Sequence, residues 1–295
     1  MGVGPKWRIS GPPPVPPAYT LLAAARIVDD ADAAGVLRWE AGAEVYGYPP
    51  VTASVWSPCA TGTLRVKASG QAPGPAVFEA FGVYVTDQCW SGGVWGPGVS
   101  DPQARFLERA RAVLAAVEAA AVERELLTGE TTANPALADG GGTFPAGDTP
   151  THVVEAFSLL EGVLAASGRA GMIHCSPQLA TVAAGHQLLR PDGPVLRTIV
   201  GTVVVPGAGY APTYGSPQAR PVGHAAPGAG QEWVFASGPV EVRRSELLIV
   251  PERVEQALDR DNNTLVYRAE RFYLVDWDRA VQAAVLVDRC KSTPC

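Results

Sequence analysis

Only Lys6, Lys67 and Lys291 are lysines among 23 basic residues, and the basic side chains are scattered through a chain of net charge −6. No basic stripe of the kind that grips nucleic acid is present. No run approaches the roughly 18 consecutive apolar residues of a membrane span. The opening MGVGPKWRISGPPP also lacks the apolar centre of a secretion signal, so the chain is expected to be made and kept inside a cell. No Gly-rich loop is followed by Lys-Ser/Thr, and Gly207 with Gly209 lacks a third glycine and a following helix, which leaves nucleotide binding unsupported. The five cysteines (Cys59, Cys89, Cys175, Cys290 and Cys295) include no CxxC pair and read as reduced thiols. Cys59 and Cys89 are the pair that a hairpin could bring together. His152, His186 and His224 show no metal-ligand spacing and suit solvated or capping roles, so neither a metal nor a cofactor is expected.

What the chain does hold is 47% hydrophobic and 18% charged residues over 295 positions, the balance of a folded protein long enough for two packed lobes. Its organising stretch is 101–128. Phe106, Ala110, Val113, Val117 and Ala121 recur at helical steps, while Arg105, Glu108, Arg111, Glu118 and Glu125 take other faces. Ser100 with Gln103 makes a capping-box pattern, Pro102 suits the first turn, and Gly129 supplies the stop. A helix of this length spans roughly 40 Å, enough to act as a strut across a domain.

Before the strut, residues 1–50 contain GPPPVPP and read as an extended arm that packs on the body or on a neighbouring copy. Removing residues 1–28 should therefore leave the body folded while deranging assembly. Residues 51–100 alternate, with Leu64, Val66 and Ala68 on one strand, Phe78, Ala80, Val83 and Val85 on another, and SGQAPGP at the tip. A lone hairpin is barely stable, so this one should lie across another surface. Residues 101–165 hold the strut and a second helix from about 150 to 167, capped by Thr149, with Val153, Phe157, Leu160 and Leu164 as its buried stripe. Residues 166–235 read as a second lobe: a buried strand AGMIHC, a short helix opened by Ser176-Pro177, a β-branched strand over 195–205, and a Gly/Pro-rich surface loop over 206–230. Residues 236–295 are a series of short strands that return to the strut. The fold class is α+β.

Candidate chemistry is thin. His174-Cys175 looks like a nucleophile pair, but neighbours on a strand point to opposite faces, and a catalytic thiol needs a base within reach. Glu270 lies between Arg268 and Arg271 in an apolar strand and reads as one half of an ion pair, with Asn263 seven residues earlier.

The order of parts resembles the major capsid proteins of tailed phages with the Hong Kong 97-type fold. FEAFGVYVTDQC before the strut, AAVERELLTGETTANPALAD after it, and then GMIHCSPQLA, IVGTVVVPGAGY, WVFASGPVEVR and ALDRDNNTLVYRAERFYLVDWD are similar to stretches of capsid proteins from actinobacterial phages. These stretches cover most of residues 78–290. The resemblance implies an N-terminal arm, an extended loop, a long spine helix, a peripheral domain and an axial domain. It implies hexamers and pentamers that close an icosahedral shell around DNA, assembled in the host cytoplasm and kept in the virion. Scaffolding, portal and decoration proteins are the implied partners, contact with packaged DNA is weak and non-specific, and no membrane is involved. The long scaffolding domain of the type member has no counterpart before this arm, so scaffolding would come from elsewhere or be dispensable. The 206–230 loop would converge on the capsomer axis, with Gly207, Gly209 and Gly215 allowing unusual backbone there.

Some members of the family weld subunits by an isopeptide bond, and the resemblance maps that set onto Lys67, Asn263 and Glu270. The same asparagine and glutamate also resemble those of members that do not cross-link, where the glutamate pairs with arginine. An encapsulin-like compartment shell is the alternative within the fold, and a hydrolase using Cys175 is the alternative outside it. The reading favoured is a structural protein rather than an enzyme.

Overall fold

The longest strand, β13 (Thr264–Trp277), and the longest helix, α2 (Pro102–Thr128), pack against each other and set the frame of the molecule. The computed structural model describes residues 12–29, 39, 41–46, 75–90, 102–211, 219–251, 253–262 and 264–290. Ahead of α2 come a one-turn helix α1 (Leu21–Ala24) and strands β1 (Arg26–Asp29), β2 (Ala43–Val45), β3 (Ala76–Phe78) and β4 (Phe81–Trp90). After it come α3 (Val153–Ser167), β5 (Met172–Cys175), α4 (Pro177–Gly185), β6 (Leu189–Asp192), β7 (Val195–Thr198) and β8 (Val203–Pro206). The last third adds β9 (Gln231–Ser237), β10 (Val240–Arg244), β11 (Leu248–Val250), β12 (Leu258–Asp259), β13 and β14 (Gln282–Asp288).

The first sheet is built on β13. One edge pairs with β4, from Thr264 opposite Trp90 to Tyr273 opposite Phe81. The other edge takes β12, β11 and β10 in turn, and β1 adds to β10 in parallel. Period-two alternation decides which face is dry: Leu265, Tyr267, Ala269 and Tyr273 are buried, whereas Arg268 is exposed. The second sheet runs β14-β9-β5-β8-β7-β6, and its strands β14, β9 and β5 are covered on both faces. Val234 and Ala236 of β9 meet the stripe of α3 (Val153, Phe157, Leu160, Leu164), while Trp233 and Phe235 turn to the larger core shared with α2 and the first sheet. Burial on both faces explains why these strands are continuous apolar runs rather than alternating ones.

Several elements depart from the sequence reading, each for a physical reason. Helix α3 begins at Val153, capped by the His152 ring, not at Pro150 behind Thr149. Thr151 is occupied as a β-partner of β14, exchanging backbone bonds with Leu286 and Asp288, so the helix cannot start earlier. The single strand expected over 195–205 is two antiparallel strands, β7 and β8, reversed by a turn in which Gly201 takes φ +107°. Of the expected hairpin, Leu64, Val66 and Ala68 lie outside the described residues. The second half divides into β3, which pairs with β2, and β4, which pairs with β13. β14 hydrogen-bonds into the second sheet along its whole length, so the chain crosses between lobes once more than the sequence suggests.

Of the two surfaces open to the arm, the body or a neighbouring copy, residues 20–29 take the body. Leu21 is fully buried and β1 is a hydrogen-bonded strand of the first sheet, so residues 20–29 are part of the body.

Candidate assembly junction on the long helix

Helix α2 carries three carboxylates turned inward, Glu118, Glu123 and Glu125, all buried. Periodicity alone puts two of them, Glu118 and Glu125, on faces away from the core. The buried side instead follows Ala110, Leu114, Val122 and Leu126, and Val117 is 43% exposed. The reason is that α2 is enclosed by the first sheet on one side and the second lobe on another, so an amphipathic template with one dry stripe does not describe it.

Each carboxylate answers a different part of the chain. Glu118 accepts from Arg271 Nη1 at 2.8 Å and from the Tyr273 hydroxyl at 2.5 Å, which locks the helix to β13. Burial and this carboxylate push the Tyr273 phenol well above its ordinary pKa. Glu125 accepts from the Thr131 and Thr132 N–H groups and from the Thr132 hydroxyl at 2.7 Å, folding the exit of the helix back on itself. Gly129 makes that exit possible at φ +61°, and a Cβ there would fall 2.4 Å from the Asn134 carbonyl. Asn134 then exchanges two bonds with the backbone of Glu79, at the base of the extended loop.

Glu123 is the most consequential. It is fully buried, and its two oxygens accept the Leu21 N–H at 2.9 Å and the Gly209 N–H at 3.0 Å. One side chain thus fastens the N-terminal segment and the 3₁₀ turn Ala208–Tyr210 of the second lobe to the long helix. Burial raises its pKa, and the two N–H donors pull the other way. Gly207 and Gly209 were expected to supply backbone freedom at a symmetry axis. Their role here is closeness: a Cβ on Gly207 would meet the Glu123 carboxyl at 2.3 Å, and one on Gly209 would meet the Ala120 carbonyl at 2.4 Å. Gly215 lies outside the described residues.

Behind this turn, His174 is fully enclosed between the Tyr210 hydroxyl (3.0 Å from Nδ1) and Ser237 Oγ (2.8 Å from Nε2). Ser237 spends its proton on the Gly238 carbonyl, so His174 donates from Nε2 and accepts from Tyr210 at Nδ1. Burial lowers its pKa to about 3, which keeps the ring neutral. Cys175 points to the other face, into the α3 core, where burial and then Glu232 push its thiol pKa up. The two side chains form no nucleophile–base pair.

Of the proposed cross-linking set, Lys67 and Asn263 lie outside the described residues. Glu270 is 2.7 Å from Arg268 Nε, and the Arg268 guanidinium lies 5.8 Å from the Tyr84 ring centre. Cys59 and the Cys89 side chain also lie outside. His224 sits on the Phe144 ring and pairs with Asp148 at 2.7 Å. Among the described residues no helix is long and apolar enough to cross a membrane. Sequence reasoning missed Glu123 entirely.

No family model matches the chain, and no curated protein matches it in sequence. Solved structures do. The chain is similar to the capsid of a native GTA particle, with TM-score 0.56, 12% identity and coverage of 97% of this chain and 95% of that one. It is similar to a chain from Mycobacterium phage Ogopogo, with TM-score 0.53, 13% identity and coverage of 96% of each. It is also similar to the holo-SrpI encapsulin complex of Synechococcus elongatus PCC 7942, with TM-score 0.57, 10% identity and coverage of 98% and 95%. The chain has the α+β fold of these structures, the GTA particle capsid and the encapsulin among them.

Proposed function

We propose that the chain is the major capsid protein of a tailed actinobacterial phage, which associates as hexamers and pentamers to close an icosahedral shell around packaged DNA. The observation that carries this reading is the likeness to the GTA particle capsid over nearly the full length of both chains. In this reading residues 1–50 are the arm, with 20–29 built into the body, 51–100 the extended loop, 101–165 and 236–295 the peripheral domain, and 166–235 the axial domain, whose sheet β14 joins. The Glu118, Glu123 and Glu125 junctions hold those parts in one subunit so that contacts between copies act on a rigid body. A net charge of −6 supports weak, non-specific contact with the genome. Scaffolding, portal and decoration proteins are the further partners, the host cytoplasm the place of assembly, and the role is structural rather than catalytic.

Electron microscopy of the purified protein tests the reading. Closed shells with five-fold vertices support it, and a protein that stays monomeric at high concentration overturns it. The encapsulin likeness favours a second reading, a compartment shell around a protein cargo. Nuclease-protected DNA in the particles supports the first reading, and a co-purifying enzyme inside them supports the second.

A further inference from the structure

The turn between β7 and β8 is built with unusual investment for a surface loop. Thr198 and Thr202 both donate their hydroxyls to Glu161 of α3, at 2.5 and 2.6 Å. The Thr202 N–H bonds to Thr198 Oγ1, the Thr198 N–H to the Thr202 carbonyl, and Arg197 to both Asp192 and the Gly201 carbonyl. The Ile199 N–H is held by the Leu188 carbonyl. What this rigid frame displays is Ile199 and Val200, 65% and 71% exposed. Turn tips are ordinarily polar or glycine-rich, and a fixed pair of β-branched aliphatics in water is a cost that the frame itself does not offset.

The position narrows the purpose. In strand order β7 and β6 form the edge farthest from β14, and β9 and β14 are the strands through which this sheet connects to the first one. β7 lies four strand spacings from β14, roughly 19 Å at about 4.8 Å each, on the free side of the lobe. Beside the tip stand Arg197, which donates to the Gly201 carbonyl, and Glu161, which accepts from Thr198 and Thr202, polar groups next to an apolar centre.

Resting on the shell reading above, we infer that Ile199 and Val200 are the apolar anchor of a contact between neighbouring copies of this chain within a capsomer. The occupant is a second copy because the structures sharing this fold are multi-subunit shells, one of them described with C5 symmetry. A convex two-residue tip has no self-complementary surface. It seats in a different patch of the next copy, which makes the contact head-to-tail and ring-closing.

Two measurements test this. The double variant Ile199→Ser, Val200→Ser keeps every bond of the frame, so unassembled protein should melt as wild type does, while the concentration needed for shells rises at least tenfold. Shell formation at the wild-type threshold overturns the inference. Should that variant misfold, p-benzoylphenylalanine in place of Val200 in assembled particles should photo-crosslink one copy to another. No adduct, or an adduct only with a different protein, overturns it. Wild-type protein that forms no shells removes the shell reading and this contact with it, whereas wild-type shells with an indifferent variant remove this contact alone.

Discussion

Gly209 offers its N–H to the Glu123 carboxylate at 3.0 Å, and a methyl group on Gly209 would fall 2.5 Å from the Cβ of Glu123. The glycine and the glutamate therefore define each other's place. Gly209→Ala should cost about 3 kcal/mol, because the atoms it meets are largely helix backbone and cannot turn aside. Glu123→Ala should cost about 2–4 kcal/mol by leaving two buried N–H groups unpaired. Urea unfolding reads both. Limited proteolysis should show faster cleavage around residues 19–25 in Glu123→Ala, and unchanged cleavage there would show that the carboxylate does not hold the N-terminal segment.

Truncation separates body from arm. Removing residues 1–18 should leave a protein that melts near the wild-type temperature and fails to form shells. Removing residues 1–28 takes Leu21 and most of β1 as well, and should lower the melting temperature by several degrees or prevent folding. Equal stability of the two truncations would show that α1 and β1 add nothing to the body.

Acid should weaken the fold through His174. Burial holds its folded pKa near 3, below the ordinary 6.5, so its contribution is complete above about pH 6.5, declines as the pH falls, and is gone near pH 3. The full span is on the order of 5 kcal/mol. Asp276 has the opposite sign: burial and then Glu241 raise its pKa to about 6, so its contribution is complete below about pH 3.8 and is lost as the pH rises through 6. Unfolding free energies from pH 4 to 7 should show a shallower acid slope in His174→Phe, and a slope equal to wild type would contradict the assignment.

Arg268 already occupies the Glu270 carboxylate, the arrangement of a glutamate that serves an ion pair. Particles boiled in detergent should accordingly run as a single band near 30.7 kDa. A ladder of multimers that disappears in Lys67→Ala would instead establish the isopeptide bond.

The sequence was legible where one period governed one face. The strut helix, its Gly129 stop, the α3 stripe, the strand before Cys175 and the Ser176-Pro177 start of α4 all follow from local rules. It was illegible where a segment answers to two distant ones. Glu118 and Glu125 look solvated by spacing and are buried because partners more than 150 residues away in one case, and just past the helix in the other, return to meet them. The strand over 195–205 broke because a glutamate on another helix rewards a reversal there. Glu123 carries no pattern at all, since its donors are backbone groups, which every sequence has.

The three inward carboxylates also constrain how the helix can move. Sliding α2 by one residue shifts it 1.5 Å along its axis and turns it by about 100°, so Glu118, Glu123 and Glu125 would all leave their partners together. A greasy helix can creep between neighbouring grooves, but a keyed one sits in a single notch. On the proposed shell reading, whatever bending a curved wall asks of this subunit must therefore be taken up outside the 118–125 stretch, with the helix handing on force as a stiff lever rather than absorbing it.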